Sequence, residues 1–254
     1  LNLFLKFQLV TKKALYSSQK EKVCRYKDYN FIKIMGKELN LLKFYPKSSR
    51  PIEERGNKIT EKDRAVARKF DKEYFDGDRL NGYGGYDYHP RFWTDTVSYM
   101  AEYYNLDNNS RILDVGCAKG FMMYDLSLLV PKAEISGIDV SQYARDSAIE
   151  SMKDNIKVCS ANNLPFDDNY FDLVISINTL HNLPKIDCKE AFREIIRVSK
   201  KDTFIMNDAW KDDKGKRAML KWNLTALTYM SCDEWLNFFK EVEYKGDYYW
   251  FFAE

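Results

Sequence analysis

Histidine is almost absent from this chain. His89 and His181 are the only two in 254 residues, so a histidine-rich metal centre is excluded and only carboxylates remain as ligands for a transient Mg²⁺. Cysteine is sparse and unpaired in pattern: Cys24, Cys117, Cys159, Cys188 and Cys232 are odd in number and include no C-x-x-C. Neither a disulfide framework nor a zinc site is signalled, and a reducing, cytoplasmic setting is expected. Long apolar runs are missing as well. A stretch such as Phe171 to Ile177 falls far short of the roughly 20 residues a membrane-spanning helix needs, so no membrane partner is expected.

A dense basic run is missing too, despite the formal charge of +2. Eight Lys/Arg against Glu21 and Asp28 give residues 1–34 an excess of six, which leaves the other 220 residues at −4. A mildly acidic body is a poor grip for a phosphate backbone, so nucleic acid is not expected as a partner. No internal repeat or low-complexity linker divides the chain. Leu1 to Val10 superficially resembles a signal sequence, but Lys6 and Gln8 interrupt it and no cleavage pattern follows. Residues 1–34 are read as a poorly ordered or non-native extension, with Met35 opening a natural start.

Patterning is richest from residue 60 onward. Thr60-Glu61-Lys62-Asp63 resembles a capping box, and Val66, Phe70 and Tyr74 follow at helical spacing, predicting a helix to about Phe75. Asp76-Gly77-Asp78 ends it. A glycine and tyrosine loop, Leu80 to Pro90, precedes a helix with Trp93, Val97, Met100 and Tyr104 on one face. Strands are then expected at Arg111–Val115, Glu134–Asp139, Ile156–Ser160, Phe171–Ile177 and Thr203–Asn207, with helices near 120–130, 142–153 and 189–199 between them. Residues 218–230 mix both characters. Ser231 to Glu234 forms a second capping box before a final helix, and Tyr248 to Phe252 reads as a closing strand. Short buried strands alternating with amphipathic helices mean an α/β fold: a doubly wound, mostly parallel sheet in a three-layer α/β/α sandwich.

The chemistry concentrates in Ile112-Leu113-Asp114-Val115-Gly116-Cys117-Ala118-Lys119-Gly120. An apolar strand ends at an acid and feeds a tight glycine turn before a helix, so backbone can approach a ligand at the carboxyl edge of the sheet. The next strand ends in Asp139, whose carboxylate suits a ribose diol because it can accept both hydroxyl hydrogens.

Asp114-x-Gly-x-x-x-Gly with Asp139, followed by Leu164-Pro165-Phe166-Asp167 and Phe171-Asp172-Leu173-Val174, resembles the class I S-adenosylmethionine (SAM)-dependent methyltransferases. The resemblance runs from about Asn105 to the end, making 105–254 the SAM-binding domain. Residues 35–104 become N-terminal helices and a lid like that of stand-alone small-molecule members, some from bacterial capsule or surface-polysaccharide pathways. It implies that Asp114 faces the ammonium of the methionine moiety, with backbone near Gly116, Cys117 and Gly120 close to the cofactor. Asp139 would take the ribose and Val140 pack on adenine. Ser160 and Ala161 would lie at the adenine edge, and Asn178 beside the methyl donor. Two departures stand out: Ala118 replaces the middle glycine of the first motif, and Ser160 replaces the acid that often precedes the adenine-motif alanine, so Asn162 is a substitute contact.

Methyl transfer from a sulfonium is an in-line displacement, so alignment in a desolvated pocket supplies most of the acceleration. A hydroxyl acceptor also needs a base, for which His181, His89 and Asp208 are the candidates. His181 and His89 are equally readable as capping or core residues. Tyr83, Tyr86 and Tyr88 would line the acceptor, a small sugar, phosphorylated or nucleotide-linked metabolite methylated on oxygen by a monomer or homodimer. The competing readings are an NAD(P)-binding oxidoreductase of similar fold and a methyltransferase-fold binding protein without activity. The first conflicts with the spacing, since dinucleotide binding prefers G-x-G-x-x-G. The second conflicts with the intact Asp114, Gly116 and Gly120.

Overall fold

The computed structural model describes residues 36–47 and 51–253, which fall within one compact unit, Met35–Glu254. The expected extension, 1–34, lies outside the described residues. In chain order the helices and strands are α1 (Ile52–Gly56), α2 (Glu61–Ala67), α3 (Lys72–Phe75), α4 (Pro90–Tyr104), β1 (Arg111–Val115), α5 (Phe121–Leu129), β2 (Glu134–Asp139) and α6 (Gln142–Asp146). They continue with β3 (Ile156–Val158), β4 (Phe171–Ile177), α7 (Lys185–Val198), β5 (Ser199–Asp208), α8 (Asp213–Trp222), α9 (Cys232–Glu241) and β6 (Asp247–Phe251).

The strands form one sheet in the order β3-β2-β1-β4-β5-β6, every pair parallel. Alternation along each strand sends side chains to two faces. Leu113, Val115, Val174 and Ile205 join α7 and α9 through Phe192, Ile195, Trp235 and Phe239. Ile112, Leu173, Ile175 and Phe204 join α4 and α5 through Val97, Met100, Met123 and Leu126. Each fully buried aliphatic side chain contributes about 2 kcal/mol, so a sheet covered on both faces specifies strands that read as near-continuous apolar runs. The chain therefore adopts the expected three-layer, doubly wound architecture, and the order reverses between β1 and β4, where the crevice of such a sheet opens.

Residues 37–39 guard the open edge beside β6. Tyr248 donates to the Lys37 carbonyl (3.0 Å) and Leu39 donates back to that of Tyr248 (2.8 Å), giving β6 a short parallel neighbour.

Several boundaries differ from the sequence reading, four of them with a local physical cause or a visible change of partner. The helix expected over 60–75 is two, because Phe70 takes a left-handed backbone (φ 51°) and the Asp71 side chain caps α3. The helix expected over 142–153 stops at Asp146, and the amide of Ile149 is captured by the Lys119 carbonyl in the glycine turn (3.3 Å). β3 stops at Val158; Cys159 still donates to Asp139, but the Ser160 carbonyl turns to accept from Asn163. β5 begins at Ser199, a residue the pattern gave to the preceding helix. Residues 218–230, undecided in sequence, complete α8 and then run as a loop whose Leu227 and Thr228 amides both bond the His181 carbonyl.

Candidate active site

β1 delivers Asp114 to the carboxyl edge, where it is 5% exposed and no hydrogen-bond donor among the described residues meets its carboxylate. Burial, with the neighbouring charge of Asp139, pushes its pKa up to about 8. The turn that follows is held by its own backbone: the amides of Gly116 and Cys117 both donate to the Ile138 carbonyl (2.8 and 3.0 Å). Those two N–H groups therefore tie β1 to β2. The Cys117 side chain is 6% exposed and packs into the core, where an added Cβ on Gly137 would come within 2.7 Å of its sulfur. Gly116 has a φ of 87°, and the space a Cβ would fill is occupied by Thr179 of the β4 loop. Glycine is required there by the protein's own packing. Ala118 keeps a left-handed φ of 49° without being glycine, and Gly120 caps α5 at φ 73°.

Asp139 closes the other side. Its two oxygens accept the amides of Ala118 (2.8 Å) and Ser141 (2.9 Å), which leaves lone pairs on both for further donors. Burial raises its pKa, and the hydrogen bonds from the Ser141 and Ala118 amides oppose that shift. Val140 exposes 47% of its surface at the strand end, an uncovered apolar side chain beside a charged edge. Ala161 is buried, Ser160 is half-buried, and Asn162 donates its amide to Asp187 at the start of α7 (3.1 Å).

The lid bends back over this turn. Tyr83 and Tyr86 rings lie 4.4 Å apart, and Tyr86 stacks on Phe121 at 4.9 Å. Although 44% of its surface meets solvent, enough protein surrounds Tyr83 that burial pushes its hydroxyl pKa up, with Asp139 and Asp208 adding to the rise. Tyr88 is placed differently: its hydroxyl donates to Asp125 of α5 (2.6 Å), so it anchors the lid. His89 is exposed and caps α4, its Nδ1 accepting the Arg91 amide (3.2 Å). Neither Tyr88 nor His89 joins the cluster around Asp114 and Asp139.

Sequence reasoning missed the residue that fastens the lid. Asp76, read only as a helix breaker, accepts hydrogen bonds from Lys119 Nζ (2.7 and 2.9 Å), the Tyr143 hydroxyl (2.6 Å) and the Tyr86 amide (2.9 Å). Burial would raise its pKa, but the bonds from Lys119, Tyr143 and Tyr86 outweigh it and hold the carboxyl below its ordinary value. Lys119 belongs to the glycine turn and its side chain is 6% exposed, so the ion pair ties residues 76–90 to that turn. Asp76→Ala strands that ammonium and is expected to destabilise the fold by about 3 kcal/mol. Urea unfolding checks this, and Asp76→Ala with Lys119→Met should recover part of the loss because no unpaired charge remains; a double variant no better than the single would refute the account.

At the ends of β4 and β5 the structure gathers Asn178, His181 and Asp208. Asn178 holds φ 54° and its Oδ1 is buried without a partner. His181 is 2% exposed; its Nδ1 accepts the Asp208 amide (3.2 Å) and its Nε2 lies 3.6 Å from Asp208 Oδ2. With Nδ1 accepting, neutral imidazole carries its proton on Nε2 and has no lone pair left for a substrate. Asn223 donates to Asp208 Oδ2, and Asp208 Oδ1 has no hydrogen bond among the described residues. Among the described residues no cluster of metal-binding side chains occurs and no helix is long and apolar enough to cross a membrane.

Residues 113–206, from β1 into β5, match the family described as Methyltransferase domain. An uncharacterised methyltransferase of Schizosaccharomyces pombe is 33% identical over 140 residues, covering 49% of each chain. The malonyl-[acyl-carrier protein] O-methyltransferase of Legionella pneumophila is 30% identical over 131 residues, 50% of this chain and 45% of that one. The demethylmenaquinone methyltransferase of a Geobacillus species is 30% identical over 146 residues, 55% and 60%. The chain spans about half the length of the curated relatives it matches. Among solved structures, a SAM-dependent methyltransferase from Aquifex aeolicus superposes with a TM-score of 0.43 at 23% identity, over 57% of this chain and 77% of that one. The domain match implies SAM as the methyl donor, and the residues present suit it. A buried carboxyl without a donor (Asp114), spare lone pairs on Asp139, an exposed apolar Val140 and an unpartnered Asn178 Oδ1 are groups that would suit an ammonium, a diol, an adenine ring and a polar tail.

Proposed function

We propose that the chain transfers a methyl group from SAM to an oxygen of a small sugar, phosphorylated or nucleotide-linked metabolite, and that it does so in the cytoplasm, in a pathway that decorates a bacterial capsule or surface polysaccharide. The sulfonium, when bound, supplies an activated methyl together with its leaving group. The observation that carries the reading is the pair of buried acids, Asp114 and Asp139, facing one glycine turn under a tyrosine lid. Asp114 holds the ammonium, Asp139 the ribose hydroxyls, and Val140 one face of adenine. Tyr83 and Tyr86 exclude water and border the acceptor, which turns positional order into rate.

For a hydroxyl acceptor, Asp208 takes the proton on its free Oδ1, while Asn223 holds the carboxylate in place through Oδ2 and His181 Nε2 stands 3.6 Å from the same oxygen. This reverses the order suggested by residue type alone, because the His181 lone pair is already engaged. Calorimetry with S-adenosylhomocysteine and with NAD tests the reading. Micromolar binding of the first and none of the second is expected, with Asp139→Asn weakening it by about tenfold or more through loss of charge-assisted bonds to the diol; NAD binding without S-adenosylhomocysteine binding sinks it.

A further inference from the structure

A group of arginines that the cofactor turn does not use gathers where α1, α2, the lid and α8 meet. Arg55 of α1 is 8% exposed, yet its guanidinium finds only backbone: it donates to the carbonyls of Arg79 (3.0 and 3.3 Å) and Gly82 (3.3 Å). Arg79 donates to the same Gly82 carbonyl. Both guanidiniums also face the Trp222 ring, at 5.0 and 6.0 Å from its centroid. Two like charges thus share one carbonyl and one indole.

Counter-charge is what this cluster lacks. Among the described residues no carboxylate comes within 4.0 Å of Arg55, Arg68 or Arg79, and Arg64 meets only Glu61 (3.3 Å), whose side chain is 85% exposed. Arg68, which ends α2, has a buried Nε that donates to nothing. Carbonyls satisfy hydrogen bonds but do not neutralise charge, and a buried guanidinium without an opposite charge is costly. Burial, then Arg79, lowers the Arg55 pKa to about 10.

The cluster borders the proposed acceptor space. Tyr83 feels the charges of Arg79, Asp139 and Asp208 together, and Tyr229 feels Arg64, Arg68 and Asp208. Gly82, whose carbonyl both guanidiniums share, directly precedes Tyr83 in the lid, and this places Arg55 and Arg79 beside the proposed acceptor space. A guanidinium presents a planar fork that matches tetrahedral oxyanions bidentately, and a pair of them balances a doubly charged group better than a single carboxylate.

We propose that Arg55 and Arg79, backed by Trp222, form a subsite for a phosphate or diphosphate group of the methyl acceptor. The proposal rests on the methyltransferase reading for its substrate, but the anion site itself can be measured alone. Pyrophosphate and inorganic phosphate are titrated into the full chain by calorimetry, with sodium acetate and sodium chloride at matched ionic strength as controls. Pyrophosphate is expected to bind with 1:1 stoichiometry, and Arg79→Gln to weaken it by about tenfold, while S-adenosylhomocysteine affinity, measured on the same samples, stays at the parental value and confirms folding. Pyrophosphate binding no tighter than acetate, or unaffected by Arg79→Gln, overturns the subsite. Absence of S-adenosylhomocysteine binding in the parent chain would instead remove the methyltransferase reading and leave the anion titration to stand or fall separately.

Discussion

Asp114→Asn is expected to weaken SAM binding by about 100-fold and to abolish the pH dependence of that binding. The parent residue is a buried acid without a donor, with a pKa pushed up to about 8, so at pH 7 it is mostly protonated. A cationic ammonium favours the carboxylate, and pairing therefore expels the proton. Affinity should climb as pH rises from 6 to 8 and level off above, with about one proton released per ligand at pH 7. The unliganded chain responds in the opposite sense. Because the folded pKa lies above the ordinary carboxylate value, the stability associated with neutral Asp114 is complete below about pH 4 and is lost progressively as pH rises through 8. Calorimetry in buffers of different ionisation enthalpy reads the proton, and thermal melts read the stability. 5′-Methylthioadenosine, which lacks the amino-acid tail, should release no proton. Equal proton release in parent and Asp114→Asn would show that another group carries the linkage.

The second large effect falls on the turn itself. Gly116→Ala puts a Cβ 2.0 Å from Thr179 Oγ1 and 2.7 Å from Thr179 Cβ, at a φ of 87°. Turning the Thr179 side chain leaves its Cβ within 2.7 Å, so the backbone must shift, and we expect a loss of about 3 kcal/mol, or a melting temperature roughly 10 °C lower. Thr179→Gly in the same chain should return the steric part of that loss and leave the backbone part, since the left-handed conformation still disfavours alanine. A melt within a degree of the parent would mean that the turn has a second, unstrained arrangement.

These two residues were visible in sequence for different reasons. Asp114 stands out because an acid ending an apolar strand has no place in a core unless something else needs it. Gly116 stands out as a glycine in a tight turn, but the pattern assigned its freedom to ligand approach, whereas Thr179, 63 residues away, fills the space. Cys117 carries a contact that no local pattern shows: its side chain packs on Gly137 and its amide donates to the Ile138 carbonyl. His181 ranked first as a base on residue type, and only the amide of Asp208 pointing at Nδ1 shows that its lone pair is taken. Asp76 gave no signal beyond its composition as a helix breaker, because its partners Lys119 and Tyr143 lie 43 and 67 residues on.

The sequence by itself determined the parallel sheet, the position of each core strand and the two acids at its carboxyl edge, since hydrophobic period, turn glycines and strand-terminal charges are local properties of the chain. Tertiary structure alone decided which acid is left without a donor, which tyrosine faces the site and which anchors the lid, and which arginines share a carbonyl without a counter-charge. Those outcomes depend on electrostatic and steric partners brought together across as many as 167 residues of sequence, as in the approach of Arg55 to the Trp222 ring, and no local pattern encodes the distance between them.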